Sequence, residues 1–252
     1  MVKKLKIYWP FAANQIKSNF AYKGSFYLYI LRKFFGMFIY YYLWMAIYAS
    51  STSDVLGGFT RNEMMLYVFM SYTLSDIIMI NISSDIGRDV MDGNVAMNLI
   101  KPINYRMSLV FRAFGIMVYK LVVPSLLIWI GLEIYKVTKL GMSVSSPVTI
   151  LAFLVSMLLS FLIYVFFDYC FGMLAFVTTY IFGMTIIKNA MLSFLTGKLI
   201  PISFFPVVVQ KVFSYLAFTA MAYVPVMIYL GKYTGTEILA ELGKQLIWAV
   251  LL

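Results

Sequence analysis

From Val148 to Phe176 the chain carries one charged residue, Asp168. In hydrocarbon every backbone N–H and C=O must be paired internally, and a single stretch can do that only as an α-helix. About 20 residues at 1.5 Å each cross the ~30 Å of hydrocarbon. Composition extends the argument to the whole chain, which is 63% hydrophobic and 12% charged with a mean hydropathy of +0.89. A soluble domain carries about 25% charge. The 252 residues therefore read as one all-α integral membrane domain.

Several function classes fall away. There is one cysteine, Cys170, and no histidine, so no disulfide forms within the chain and His/Cys metal sites are excluded. The net charge of +10 reads as anchoring against anionic lipid and as the positive-inside bias, not as nucleic-acid binding. The 18% aromatic share suits Tyr and Trp belts at the two interfaces. No small-residue cleavage site follows the basic N-terminus, so no cleaved signal peptide is expected. Gly197-Lys198, Gly231-Lys232 and Gly243-Lys244 lack the Ser/Thr and the upstream glycine of a phosphate loop. No carboxylate pair sits in a polar cleft, and no histidine can act as base. The chain is therefore not expected to be an enzyme or to bind a cofactor.

Residues 1–27 are basic and read as a cytoplasmic interfacial helix, with Ala12, Ile16 and Phe20 in a stripe and Pro10 suited to a first turn, or else as a disordered basic tail. Residues 28–252 form the transmembrane domain. Spans are expected at Leu28–Ala49, Glu63–Ile82, Met107–Ile134, Val148–Phe176 and Ile181–Thr196. Arg32 and Lys33 fall near the inner end of the first, where long side chains can snorkel. Arg112 and Pro124 lie in the third, and Thr178–Tyr180 makes a tight turn. Positive charge clusters before Lys33 and between Ser83 and Arg112, which places both regions on the cytoplasmic side.

Gly197–Gly231 admits two readings. A hydropathy window makes Val207–Leu230 a kinked seventh span. Pro201, Pro206, Lys211 and Pro225 instead break it into two pieces of about 12 residues, each reaching ~18 Å. A hairpin dipping into the outer leaflet fits that length. A last span starts at Ile238 and rises about 22 Å before the chain stops, so it is incomplete, and the expected total is six.

The longest polar interruption is Ser83–Arg106, residues 83–106. Ile82, Ile86 and Val90 share a helix face. Ser83 or Ser84 can cap that helix, with Asp85 in its first turn. Asp92-Gly93 reads as a turn, Val95–Ile100 as a second short helix, and Lys101-Pro102 as its stop. This stretch is either a structured grip for a soluble partner or an ordinary solvated loop.

The ionisable residues expected to be buried within the spans are Asp76, Lys120, Asp168 and Lys188. Each is costly in hydrocarbon and must face protein or water. Asp168 and Lys188 lie at similar depth on consecutive antiparallel helices and are natural partners. Either all four form a polar wall on a pathway or they join helices structurally. The many Met, Phe and Tyr side chains permit a path for amphiphiles but do not establish it.

Four motifs, in order, resemble ABC-2 type permeases. Asp85–Tyr105, DIGRDVMDGNVAMNLIKPINY, looks like the loop between their second and third spans. Gly197–Pro206, GKLIPISFFP, is similar to the segment after their fifth span, and Tyr223–Gly231, YVPVMIYLG, to the piece that follows. Leu174-Ala175-Phe176 also fits. The resemblance implies a six-transmembrane-helix, type V exporter-like fold with an outward helical hairpin over residues 197–231. It implies a bacterial cell-membrane exporter subunit with its N-terminus cytoplasmic. It pairs with a second permease subunit, the same or different, and with two ATP-binding-cassette ATPase subunits that bind ATP and Mg. Residues 83–106 become the coupling helix. Ile86, Val90, Val95, Met97 and Leu99 then supply apolar docking contacts, and Asp85, Arg88, Asp89, Asp92 and Lys101 a polar rim, hinged at Gly93. A channel or an assembly scaffold without active transport is the other class that the residues allow.

Overall fold

The computed structural model describes residues 6–21, 23–141 and 144–252. Lys3, Lys4 and the side chain of Lys23 lie outside the described residues. Among the described residues the regular structure is helical, apart from a short hairpin of β1 (Val55–Leu56) and β2 (Phe59–Thr60) turned at Gly57-Gly58. Among the described residues three stretches are long and apolar enough to cross a membrane: Arg61–Met91, Tyr105–Thr138 and Pro147–Thr178.

The N-terminal helix α1 (Trp9–Ala21) forms where its stripe requires. That stripe is covered in part, because α1 runs along α6 (Tyr105–Lys120): Ala12 is buried and Ile16 half-buried, while Phe20 stays exposed. The Tyr8 hydroxyl accepts from the Asn104 amide at 2.9 Å, and the Phe20 ring meets Tyr119 edge-on at 5.0 Å. Next comes α2 (Lys23–Ser50), 28 residues long, whose tyrosines and three basic residues dilute its apolar character. It packs on α3 (Arg61–Ile78), which begins at a capping box of Thr60 and Glu63.

The second span differs from expectation. After α3 a break at 79–81 leads into α4 (Ile82–Met91). Together they make the 31-residue stretch Arg61–Met91, about 46 Å long at 1.5 Å per residue. Ser83 and Ile86 belong to this buried body, not to a free cytoplasmic knob. The part that stands clear begins near Arg88 and includes the turn at Gly93 and α5 (Asn94–Leu99).

The third span is α6, a π-turn at Leu121–Ser125 and α7 (Leu126–Leu140). Pro124 explains the π-turn: it has no amide hydrogen for the α-helical ladder. The fourth span is α8 (Pro147–Gly172) with α9 (Ala175–Thr178), followed by the expected tight turn, where Thr179 has φ 60°. α10 (Phe182–Leu195) has 14 residues, about 21 Å.

Apolar on all sides, α8 is the hub, as a helix of that composition should be. It contacts α3, α4 and α6, and the later helices α12 (Ala217–Met221), α13 (Tyr223–Tyr229) and α14 (Thr236–Leu251). On α14, Gln245 is fully buried and locks onto α8: Ser156 donates to its Oε1 at 2.9 Å, and its Nε2 donates to Ser160 Oγ at 3.0 Å and to the Ala220 carbonyl at 2.7 Å.

Gly197–Gly231 leaves and returns at the same end of α3. The Tyr67 hydroxyl donates to the Gly197 carbonyl at 2.5 Å, and Lys232 pairs with Glu63 at 2.6 Å. Glu63 and Tyr67 are one turn apart, about 6 Å along the axis, whereas a crossing needs ~30 Å. Between those ends run a 3-10 turn at Ile202–Phe204, α11 (Val207–Tyr215), α12 and α13. The outgoing arm has no buried residue in α11, while α13 is buried against α8 and α3.

Candidate functional site

The break at 79–81 exposes four backbone amides at the new N-terminus of α4. No side chain of α4 caps it, and neither Ser83 nor Ser84 sits at the cap position, which is Asn81. The cap comes from α8 instead. Asp168 Oδ2 accepts the Ser83 amide at 2.8 Å, and Oδ1 accepts the Ser83 hydroxyl at 3.0 Å. Lys188 on α10 pairs directly with the same carboxylate and donates to Ser83 Oγ at 2.9 Å. It also reaches Asn81 Oδ1 at 3.4 Å, which accepts from Tyr164 at 3.1 Å. Asp168 is wholly buried, and Lys188 is nearly so. The expected Asp168–Lys188 pair therefore forms, and it bolts the start of α4 to two other helices. Gly172 completes the joint: a Cβ there would lie 2.6 Å from Ile86 Cδ1.

A second polar centre surrounds Asp76. Its carboxylate accepts from the Tyr29 hydroxyl and pairs with Lys33 at 3.3 Å and Lys120 at 3.4 Å. Lys120 also donates to the Asp76 carbonyl at 2.7 Å, where the end of α3 favours a cation. Lys33 is buried and donates to Ser125 Oγ at 2.8 Å, in the π-turn. This corrects the expectation that Lys33 snorkels: a carboxylate inside the protein holds it more closely than the interface can.

The stretch 88–101 carries the exposed surface. Met91, Met97, Leu99 and Ile100 are 54–83% exposed and apolar. Arg88 pairs with Asp85 within α4, Asp92 is exposed, and Lys101 donates to Asn98 at 2.7 Å. Asp89 is tied inward, accepting from Tyr105 at 2.7 Å and Asn98 at 3.0 Å. Gly93 has φ 71°, a region L-residues enter at a cost, with open space around its missing side chain. Ile86 and Val95 are buried in this chain and Val90 is half-buried, so Ile86 and Val95 are not surface contacts. The reason is the helix period: the face of α4 that is apolar in sequence is the one α8 claims.

A family model described as ABC-2 family transporter protein matches residues 34–252. The chain belongs to that family. As an ABC-2 permease it is a multi-pass membrane protein, the membrane component of an ABC transporter, and its family works with an ABC ATPase. No curated protein and no solved structure matches it.

Within the permease, sequence reasoning missed Met91 and Ile100 on the exposed surface, and Asn81, Ser83 and Tyr164 around Asp168. It also missed Tyr29 and Lys33 beside Asp76. Met91 and Ile100 carried a legible signal, since each continues a helix beyond its buried stripe next to charge. The polar partners carried none: only folding brings residues 29, 76 and 120, or 83, 168 and 188, together.

Proposed function

We propose that this permease exports its substrate by alternating access, driven by ATP hydrolysis on separate ATPase subunits that bind the ATP and Mg. It has six spans, sits in the bacterial cytoplasmic membrane with its N-terminus cytoplasmic, and pairs with a second permease subunit. The chain itself does no catalysis. The observation that supports this most is the joint between surface and bundle. Met91, Met97, Leu99 and Ile100 present an apolar patch on a short lever, with Arg88, Asp92 and Lys101 around it. Such a patch rimmed by charge suits a groove on a soluble subunit. The lever continues into α4, whose first turn is held by Asp168 of α8 and Lys188 of α10. A push on the patch therefore reaches three helices at once.

The test is the double substitution Met97→Asp with Ile100→Asp. Membrane level should stay near wild type, because both side chains already face solvent. Recovery of the ATPase in a pull-down should fall by about tenfold or more, the equivalent of 1.4 kcal/mol or more, with transport falling in step. Undiminished ATPase capture and transport would remove this patch from the coupling role.

A further inference from the structure

A cleft between α2 and α10 holds two adjoining chambers of opposite character. The first, about 280 Å³, is lined by Arg32 on α2, Tyr72 and Ser75 on α3, Asn189 on α10 and Lys198 just beyond it. The second, about 480 Å³, is apolar, with Leu43 and Trp44 of α2 facing Phe194 and Phe204. They lie side by side: the Tyr40 ring of the second chamber packs on the Tyr72 ring of the first, centroids 5.6 Å apart. Along α2, Arg32 precedes the apolar wall at 40–47 by about 12–22 Å at 1.5 Å per residue.

Charge in the polar chamber does not balance. Asp76 is the one carboxylate lining it, and Lys33 and Lys120 already satisfy that group. Arg32 and Lys198 have no carboxylate within salt-bridge distance among the described residues, and Lys198 lies 5.5 Å above the Tyr72 ring. Arg32 is exposed and Lys198 half-buried, and two cations facing one chamber without a counter-charge make it attractive to an anion. The Ser75 hydroxyl is fully buried, lines the same chamber and has no hydrogen-bond partner in the protein. A buried hydroxyl without a partner costs about 1–3 kcal/mol, which a ligand acceptor oxygen would offset.

We propose that this cleft binds an anionic amphiphile, its phosphate- or carboxylate-type head between Arg32 and Lys198 with Ser75 donating to it, and its apolar tail along Trp44. The inference rests on the transport reading only in taking the bound amphiphile as cargo; the binding itself stands apart from it.

Full-length permease in a nonionic detergent is titrated with dodecyl phosphate, dodecyltrimethylammonium and inorganic phosphate. Chain-brominated forms of the two amphiphiles report occupancy by quenching tryptophan fluorescence, with Trp44→Phe as the control for position. Dodecyl phosphate should bind at least about tenfold more tightly than the ammonium, and inorganic phosphate should compete weakly. Arg32→Gln with Lys198→Gln should erase the preference, Lys198→Arg should keep it, and Ser75→Ala should weaken phosphate binding about threefold with the ammonium unchanged. Equal binding of the two amphiphiles, a preference that survives the double substitution, or inorganic phosphate competing as strongly as its dodecyl ester would each overturn the proposal. So would a Leu43→Cys to Phe194→Cys cross-link between two copies, which would show the cleft filled by a second subunit. No ATPase enters the titration. Anion-selective binding without ATPase capture would sink the transport reading alone, and ATP-driven transport without that selectivity would sink this one alone.

Discussion

At the scale of single residues, Asp168 does three tasks with one carboxylate. It neutralises Lys188, accepts the Ser83 hydroxyl and caps the amide that the break before α4 leaves open. Removing one partner of a buried pair leaves an uncompensated charge, at about 3–5 kcal/mol. Asp168→Asn should therefore lower the yield of folded permease sharply. Asp168→Asn with Lys188→Met should recover part of the loss, because no bare ammonium remains. Fluorescence-detected size-exclusion after graded heating measures both. A double variant less stable than the single one would mean that the pair is not coupled as its geometry implies. The polar centre at Asp76 obeys the same rule, with two cations on one carboxylate. Asp76→Asn strands Lys33 and Lys120 together, and should destabilise more than Lys120→Met, which leaves Asp76 its Lys33 and Tyr29 partners.

At the scale of elements, the lever made of α4, the Gly93 turn and α5 depends on a left-handed residue with no steric crowding. Space is not limiting there, so the penalty of a substitution is purely conformational. Gly93→Val should cost about 1–2 kcal/mol or more locally, and Gly93→Asn less, since asparagine tolerates this region. The readout is ATPase capture per unit of membrane-inserted protein. The order Gly, Asn, Val is the expected ranking, and equal capture by all three would show that the turn does not set the position of the patch. The other element that departs from simple expectation is α1. Part of a stripe that suits a lipid surface is instead taken by α6, which buries Ala12 and meets Tyr8 at Asn104 and Phe20 at Tyr119, while Phe20 keeps an exposed face.

At the scale of the whole molecule, the returning segment 197–231 decides how many times the chain crosses. Its two ends are held by Tyr67 and Glu63, one helical turn apart on α3. Single cysteines at Ser203 and Lys232 should therefore react with a membrane-impermeant maleimide from the same side, in intact cells carrying Cys170→Ser. Labelling from opposite sides would make the segment a seventh span. Cysteines replacing Gly93 and Asp92 should be reached only after the cells are opened.

The apolar runs determined by themselves that this chain is helical and lies in a membrane, because hydrocarbon permits no other way to pair a single stretch of backbone. The run at Val148–Phe176 and the helix at 147–172 agree for that reason. Charge and length also located the acidic and basic residues that had to find partners, and for Asp168 and Lys188 the depth along two antiparallel helices was enough to name the pair. The tertiary structure alone decided where the second span breaks. Met79, Ile80 and Asn81 contain neither proline nor glycine, so nothing local interrupts the helix there. The interruption persists because a carboxylate 85 residues away caps the amide it frees. It also decided which face of α4 is outside: Ile86 turns inward onto Gly172, and the surface passes to Met91, Met97, Leu99 and Ile100. Periodicity tells which residues share a face, but only the neighbour that covers that face tells whether it is buried.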